Sequence, residues 1–347
     1  MNNVLSFWEA AYLAVGAAAA GVSYCLVVLL MPLLQRYAPA RPNARSSHKI
    51  PTPQGGGAAV VAAFILIAVA ASILLPGLNL DVMHLPIIFA AIAALAVVGA
   101  TDDMHPLEAI PRLLLQAAAV GIVVAALPAE LRIVPILPWW LERLLMLVAI
   151  LWFLNLTNFM DGIDWMTVAE VIPVTAGLTL CGLLDALPHD ATLVAAALCG
   201  AIIGFAPFNR PVARLFLGDV GSLPIGLLLG WLLVLLAGNG HLTASLLLPL
   251  YYLADATITL LRRILNNEKI LQAHRSHFYQ RAMDGGFSTF QIVGRVFGLN
   301  IILVGLATIT VMGTSLLLNV TALTVGAILV IALLWNFSCG RHGKSGA

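Results

Sequence analysis

Long apolar stretches constrain the fold of this chain more than any other feature. Eleven runs approach the roughly 20 residues that a helix needs to cross a bilayer. Because lipid offers no hydrogen-bond partners to the backbone, such runs fold as helices that satisfy their own polar groups. We therefore predict an all-α, polytopic integral membrane protein in which 1–347 form a single transmembrane domain. The eleven runs are 11–34, 55–76, 85–101, 112–128, 140–157, 166–187, 191–208, 222–238, 242–263, 290–312 and 316–337.

Composition supports this class and excludes others. Hydrophobic residues make up 61% of the chain, whereas soluble domains contain about 45–50%. The cysteines are scattered without paired spacing, so we predict neither disulfides nor a zinc site. A net charge of +1 gives no sign of a nucleic-acid partner, and none is expected. The partner that the composition does imply is the lipid bilayer. The cysteines are Cys25, Cys181, Cys199 and Cys339.

The distribution of basic residues predicts the orientation. With the amino terminus outside and the carboxyl terminus in the cytoplasm, fifteen of the seventeen Lys and Arg residues fall on the cytoplasmic side. The exceptions are Arg132 and Arg143. This bias satisfies the positive-inside rule. The predicted cytoplasmic segments are 35–54, 102–111, 158–165, 209–221, 264–289 and 338–347.

Five aspartates lie at the ends of apolar runs, in three of these cytoplasmic segments. Carboxylates at such positions can cap helices, which is the structural alternative. Two carboxylates three residues apart on a helix also repel each other unless a cation or donors lie between them. Oxygen ligands of this kind suit Mg²⁺ or Mn²⁺ bound together with a phosphate-bearing substrate. We predict that they surround one pocket. The residues are Asp102, Asp103, Asp161, Asp164 and Asp219.

Two other cytoplasmic segments carry signals for anion binding. The glycines of 55–57 would let a phosphate approach the backbone, or would simply let helices pack closely, and the sequence favours neither. His274, Arg275 and His277 form a cationic cluster in 264–289 that favours phosphate recognition over zinc. Phe216 offers a ring on which a base could stack, although phenylalanine is more often a core residue.

Two carboxylates lie within predicted membrane segments, Glu170 and Asp255. Burying them in lipid is costly unless each faces a partner, so we expect structural partners and assign no catalytic role. A transporter or lipid flippase is the alternative class. Transporters usually contain repeated halves with charges near the bilayer midplane. No repeat is visible here, and Asp255 is the one candidate residue of that kind.

Three motifs resemble those of the polyprenyl-phosphate N-acetylhexosamine-1-phosphate transferase superfamily, glycosyltransferase family 4. They are Asn-Leu-Thr-Asn-Phe-Met-Asp-Gly-Ile-Asp at 155–164, Phe-Leu-Gly-Asp-Val-Gly-Ser at 216–222 and His-Arg-Ser-His-Phe-Tyr-Gln-Arg at 274–281. The Asp-Asp pair at 102–103 and the Arg-Ser-Ser-His and Pro-Thr-Pro-Gln-Gly-Gly-Gly stretches of the first loop also match. The His-Arg-Ser-His element is similar to the bacterial O-antigen initiating branch more than to the phospho-muramoyl-pentapeptide translocase branch.

The resemblance implies a reaction and a location. The expected activity is transfer of N-acetylhexosamine-1-phosphate from a UDP-sugar, of the UDP-GlcNAc or UDP-FucNAc type, to undecaprenyl phosphate, with release of UMP. Mg²⁺ is the implied cofactor, with Mn²⁺ as a substitute. The implied role is the initiating step of cell-surface, O-antigen-like polysaccharide synthesis. It would occur in the plasma membrane, with the active site on the cytoplasmic face. A homodimer is left open.

The resemblance also implies roles for individual residues. Asp219 and Asp161 would ligate the metal, Phe216 would stack on uracil, and Asp102 and Asp103 would engage the lipid phosphate, as base or by positioning it. A family lysine in the first loop matches either His48 or Lys49. Asp161 and Asp164 would lie on the nucleotide side with Asn158 beside them, and Asn209 matches an active-site Asn of related enzymes. The residues implied to bind the phosphates are His274, Arg275 and His277.

Overall fold

The computed structural model describes residues 2–40, 51–75, 84–268, 275–313 and 315–340, and this part of the chain is almost wholly helical. Two short strands, β1 (Pro39–Ala40) and β2 (Thr52–Pro53), pair antiparallel. The helices are α1 (Asn2–Tyr37), α2 (Gly57–Leu74), α3 (His84–Met104), α4 (Ala109–Ala125), α5 (Trp139–Met160), α6 (Met166–Leu183), α7 (His189–Asn209), α8 (Asp219–Leu236), α9 (Leu242–Leu247), α10 (Leu250–Leu265), α11 (Phe278–Asp284), α12 (Thr289–Met312) and α13 (Leu316–Cys339).

The prediction of an all-α polytopic membrane protein is confirmed. Within the described residues, nine helical segments are long and apolar enough to cross a membrane. The other two predicted runs form shorter helices. Run 112–128 corresponds to the 17-residue α4, and run 242–263 is divided into α9 and α10.

The division of run 242–263 has a local cause. Pro249 directly precedes α10, and proline has no backbone N–H to continue the helical ladder. The chain also turns sharply before α9, where Gly240 has a φ of 91° inside the π-helical turn Ala237–His241. This left-handed conformation suits glycine because it lacks a Cβ. The sequence pattern predicted run 242–263 but not the break within it.

Helix α8 is the centre of the bundle. It packs against α5, α3 and α2, and all of its residues from Val220 to Leu236 are buried. Helices α2 and α3 cross its first turn at very short distances. A Cβ on Gly57 would lie 2.2 Å from the Cα of Gly221, and one on Gly99 would lie 2.3 Å from the carbonyl oxygen of Asp219. Glycines at these crossings therefore bring α2 and α3 to the start of α8.

The end of the first predicted loop is ordered by backbone pairing with the segment before α8. The N–H of Phe216 donates to the carbonyl of Pro53, and the N–H groups of Gly56 and Gly57 donate to the carbonyls of Phe216 and Leu217. These two glycine N–H groups are thus used inside the protein. Of the alternatives for 55–57, close packing of helices is the one that the structure shows.

Candidate active site

Three helices bring predicted site residues together at one end of the bundle, which we call the aspartate face. Asp219 is the first residue of α8, and Asp102 and Asp103 lie in the last turn of α3. Asp161 follows the last residue of α5. Asn158, also on α5, donates from Nδ2 to Asp219 Oδ1 at 2.7 Å and to the Ser222 hydroxyl at 2.9 Å. The amide of Asn158 thereby orients one oxygen of Asp219.

Asp103 caps the start of α8. Its carboxylate accepts hydrogen bonds from the backbone N–H groups of Asp219 at 3.0 Å and Val220 at 3.1 Å. A negative charge is favoured there because the N–H groups of a first turn have no partner within the helix. Gly218 makes this approach feasible, since a Cβ on it would lie 2.5 Å from Asp103 Oδ2. Helix capping, the structural alternative, therefore describes Asp103, although the helix that it caps is distant in sequence.

Asp102 faces a different set of donors. Its Oδ1 accepts from the N–H of Leu107 at 2.6 Å, and its Oδ2 accepts from Arg112 Nη1 at 2.8 Å. The same guanidinium nitrogen lies 3.7 Å from Asp219 Oδ2. Arg112 therefore lies between the carboxyl groups of Asp102 and Asp219. Adjacent aspartates on α3 thus divide their contacts, one with the α8 backbone and the other with Leu107 and Arg112.

Asp161 completes this group of four carboxylates. The hydroxyl of Thr167, in the first turn of α6, donates to its Oδ1. Burial raises the pKa of the Asp161 carboxyl from its usual 3.8 to about 7; the Thr167 hydrogen bond opposes the shift, and the charges of Asp103 and Asp164 add to it. A carboxyl group in this state gives up a proton readily when a cation arrives.

Asp164 and Asn209 are engaged in holding loops together. Asp164 Oδ2 accepts from the N–H of Ala213 at 2.9 Å. The Asn209 side chain accepts from the N–H of Trp165 at 2.8 Å and donates to the carbonyl of Leu215 at 3.0 Å. These bonds join the turn after α5 to the segment before α8. The nucleotide-side role of Asp164 and the active-site role of Asn209 stay predictions.

A cavity of about 660 Å³ adjoins this pair of loops. It lies between the end of α1, the β2 strand and the segment 211–214, and Asp164 and Arg214 contribute charged groups to its lining. Phe216 is half-buried and is held by its backbone bonds to Pro53 and Gly56. Stacking of a base on its ring stays a prediction.

Asp255, which lies in an apolar run, has the structural partners that we predicted for it. Its carboxylate receives the backbone N–H groups of Phe278 at 3.1 Å and Tyr279 at 3.3 Å. His277 Nδ1 lies 3.2 Å from Oδ1. The hydroxyls of Tyr251 and Thr259 donate at 3.2 and 3.4 Å. The Asp255 side chain is fully buried and has five groups around it. It joins α10 to α11, and this structural role argues against a transport role for the residue.

The predicted cationic cluster is divided by the structure. His277 is 3% exposed and belongs to the Asp255 contact, while Arg275 pairs with Asp284 at 3.1 Å near the surface. His274, His48 and Lys49 lie outside the described residues. The segment still reaches the site, because the Tyr279 hydroxyl donates to the carbonyl of Phe159 at 3.1 Å. Phosphate binding by these residues stays a prediction.

Three site residues were not predicted from the sequence. Arg112 is the cation between Asp102 and Asp219, Thr167 contacts Asp161, and Ser222 shares the Asn158 amide with Asp219. Ser222 could have been found from spacing, since it lies three residues after Asp219 on the same helix. Arg112 lies in the first turn of a separate helix, α4, and no local pattern links it to Asp219.

The donor set fits a divalent cation in part. Among the described residues, four carboxylates and one guanidinium meet here and leave an excess of negative charge, and Mg²⁺ prefers oxygen ligands. Asp219 and Asp161 stay the predicted ligands. No cluster of three or more His, Cys, Asp or Glu side chains in the described ranges has the arrangement of a metal site. An ion bound here would thus complete its shell with water and substrate phosphates, as Mg²⁺ usually does.

Comparison with known proteins gives the family. The model of glycosyl transferase family 4 matches residues 85–237, which include all four carboxylates. A probable undecaprenyl-phosphate N-acetylglucosaminyl 1-phosphate transferase of Bacillus subtilis is 28% identical over 83% of this chain and 84% of its own length. A decaprenyl-phosphate N-acetylglucosaminephosphotransferase of Mycobacterium leprae is 27% identical, with coverages of 80% and 78%.

A third relative carries a different name. A phospho-N-acetylmuramoyl-pentapeptide-transferase of a Synechococcus species is 32% identical over 309 residues, which are 80% of this chain and 86% of the relative. Similarity of this extent covers the helices that build the aspartate face as well as those around them. The chain therefore belongs to glycosyl transferase family 4, within the superfamily of polyprenyl-phosphate N-acetylhexosamine-1-phosphate transferases that its motifs resemble.

Proposed function

We propose that this protein transfers N-acetylhexosamine-1-phosphate from a UDP-sugar to undecaprenyl phosphate and releases UMP. The observation that carries the proposal is that Asp102 and Asp219 lie on either side of the same Arg112 guanidinium nitrogen, at 2.8 and 3.7 Å, at the aspartate face. Such a concentration of like charge is unfavourable on its own. A divalent cation held by Asp219 and Asp161 would offset this charge and that of the substrate phosphates.

The named relatives support the reaction type. Two of them are named for phosphotransfer of N-acetylglucosamine to undecaprenyl or decaprenyl phosphate, and a third for a phospho-N-acetylmuramoyl-pentapeptide. Their names share a sugar phosphate as the transferred group and differ in the sugar. A UDP-N-acetylhexosamine such as UDP-GlcNAc or UDP-FucNAc is our proposed donor, since the His-Arg-Ser-His element at 274–277 resembles the O-antigen initiating branch.

The proposed chemistry is a direct displacement at phosphorus. An oxygen of the lipid phosphate forms a bond to the sugar-bearing phosphorus, and the bond from that phosphorus to the bridging oxygen breaks. UMP leaves with that oxygen. The attacking phosphate monoester has a second pKa of about 6 and is largely a dianion at neutral pH. It therefore gains little from a base, and repulsion between the two anions is the larger obstacle.

The residues of the aspartate face address that repulsion. Arg112 supplies positive charge next to Asp219, and Asn158 fixes the orientation of the Asp219 carboxylate. Asp103 holds the first turn of α8 in place through two backbone N–H groups. Asp102 is held by Arg112 and Leu107, which suits a positioning role better than that of a base. A bound Mg²⁺ would supply the charge neutralisation that the dianionic reactants need.

The location is part of the proposal. The excess of basic residues in the predicted cytoplasmic segments, which include these aspartates, supports a site at the cytoplasmic side of the plasma membrane. A lipid phosphate in the adjacent leaflet and a soluble nucleotide sugar would meet there. This is the arrangement that the initiating step of a cell-surface polysaccharide requires.

Lipid labelling tests the proposal directly. The purified protein is supplied with undecaprenyl phosphate and radiolabelled UDP-GlcNAc, with Mg²⁺ or with a chelator, and UDP-FucNAc and UDP-MurNAc-pentapeptide are tested in parallel. We expect label in the lipid fraction and one UMP per lipid product, only with the divalent ion present. The Asp219→Asn variant is the matched control. Label that crosses sealed vesicles unmodified, with none in lipid, would instead support transport.

A further inference from the structure

Two polar side chains are in contact deep within the bundle and take no part in the chemistry above. Glu170 of α6 is 1% exposed and Asn300 of α12 is fully buried. The amide nitrogen of Asn300 donates to Glu170 Oε2 at 2.6 Å and to the backbone carbonyl of Ala169 at 3.0 Å. One side chain of α12 therefore holds both a carboxyl group and a main-chain oxygen of α6.

The carbonyl that Asn300 reaches lacks its usual donor. In an α-helix the carbonyl of residue i accepts from the N–H of residue i+4. For Ala169 that residue is Pro173, which lies inside α6 and has no N–H. Asn300 replaces the missing donor from a neighbouring helix. The contact therefore closes the backbone gap that proline creates in α6.

This contact is close to the aspartate face. Thr167, two residues before Ala169, donates its hydroxyl to Asp161. The N–H of Ala169 itself donates to the carbonyl of Trp165 at 2.8 Å, in the turn that follows Asp161. The first two turns of α6 thus contact Asp161 at one end and Asn300 at the other.

The pair is poorly suited to adding stability alone. Glu170 Oε1 and Asn300 Oδ1 are buried, and neither has a hydrogen-bond partner among the described residues. A buried polar atom without a partner costs free energy, and apolar side chains of the same volume often pack at lower cost. A role in fixing the position of α6 accounts for the polar contact better than a gain in stability does.

We infer that Asn300 and Glu170 are positioning residues that hold the start of α6, and with it Thr167 and Asp161, in the arrangement that the active site uses. Asn300 substitutes for the donor lost at Pro173, and Glu170 keeps the Asn300 amide directed at α6. The consequence for turnover depends on the proposed function, whereas the consequence for the structure of α6 does not.

Hydrogen–deuterium exchange tests the structural step without any assay of activity. In Asn300→Leu, amides of 161–172 should exchange roughly three- to tenfold faster than in the wild type, the factor expected when one net hydrogen bond is lost from a local opening. Thr308→Val, which changes another polar residue of α12, is the matched control and should leave 161–172 unchanged. Equal exchange in Asn300→Leu and wild type would overturn the inference, as would a uniform increase over all helices.

Restoring the missing donor gives a sharper test. Pro173→Ala supplies an N–H to the carbonyl of Ala169, so the double variant Pro173→Ala with Asn300→Leu should recover at least half of the lost protection. Absence of recovery contradicts the role assigned to Asn300. Glu170→Gln and Glu170→Leu form a second pair for the case in which Asn300→Leu does not fold. Glu170→Gln keeps an acceptor, so its exchange should resemble that of the wild type. Glu170→Leu removes the acceptor, so the amides of 161–172 should exchange faster.

The link to catalysis is tested by a double-mutant cycle. If Asn300 acts through Thr167, the losses in kcat caused by Asn300→Leu and Thr167→Val should be markedly less than multiplicative when combined. Multiplicative losses would show that the two residues act independently and would overturn the catalytic part. Because exchange is measured without substrate, a wild-type protein inactive on every UDP-sugar refutes the proposed function and leaves the inference about α6 standing.

Discussion

The two ends of α5 carry carboxyl groups in very different surroundings. At its start, Glu142 is 3% exposed and pairs with Arg132. Its other oxygen accepts from the N–H groups of Ile133 and Val134, the latter at 2.7 Å. Arg143 beside it donates to the carbonyl of Leu131 at 3.2 Å. Both oxygens of Glu142 therefore have donors, one of them a guanidinium, and the effect is to fix the loop before α5.

At the other end of α5 the charges are not matched. Asp161 has one hydroxyl donor and like-charged neighbours, and Asp219 shares a single guanidinium with Asp102. A carboxylate with a full set of donors serves as a structural tie, as Asp255 also does. Carboxylates crowded together remain available to a cation. The difference between the ends of one helix therefore separates structural charge from the candidate active site.

The largest expected effect comes from neutralising the most crowded carboxylate. Asp219→Asn should lower turnover by roughly 10³-fold or more, because it removes a candidate ligand and charge from the site. The measurement is transfer of label to undecaprenyl phosphate by purified protein of unchanged melting temperature. Asp190→Asn, at the opposite end of the bundle, is the control and should retain full activity. Comparable losses in both variants would remove the distinction between the two ends.

A smaller effect is expected at Asp102. Asp102→Asn keeps the shape but weakens the contact with Arg112, so we expect a loss of about 10- to 100-fold in kcat. Because the lipid phosphate is already a dianion near neutral pH, this loss should be the same from pH 6.5 to pH 8.5. A pH–rate profile of the variant decides the matter. A loss that shrinks as pH rises would assign proton removal to Asp102.

At the start of α5 we expect a substitution to change stability alone. Glu142→Gln leaves Arg132 without its charged partner, and breaking a buried ion pair costs about 3–5 kcal/mol. We reduce this to about 2–3 kcal/mol because the Arg132 side chain is 27% exposed. Thermal unfolding in detergent measures the change, while kcat per folded molecule should equal that of the wild type. A drop in kcat would show that the loop before α5 contributes to the site.

The smallest effect concerns Asp161 and has a defined sign. Its pKa in the folded protein is about 7 against 3.8 for the free side chain, so the folded state binds more protons between these values. Stability from this group is present at low pH and is lost as pH rises towards 7. Without divalent ions, Asp161→Asn should raise the melting temperature by roughly 2–6 °C at pH 8, and by less at pH 5.5. A gain independent of pH would contradict the shifted pKa.

Part of the site was visible in the sequence. The aspartates at 102–103, 161 and 219 stood at the ends of apolar runs, and the distribution of basic residues placed them on one side of the membrane. The pattern did not distinguish their surroundings. Asp164 and Asp161 are three residues apart, yet one accepts from Ala213 and the other from Thr167. The donors come from other segments, so residue spacing contains no record of them.

The sequence by itself determined the membrane class and the helical fold, because apolar length and helix formation are local properties of the chain. It also determined which ends of the helices carry acidic groups. Only the tertiary structure decided what each polar group contacts. Asp103 caps a helix that begins 116 residues later, and Asn300 completes a backbone bond that Pro173 prevents. Such contacts depend on which helices become neighbours, and that follows from packing of the whole bundle.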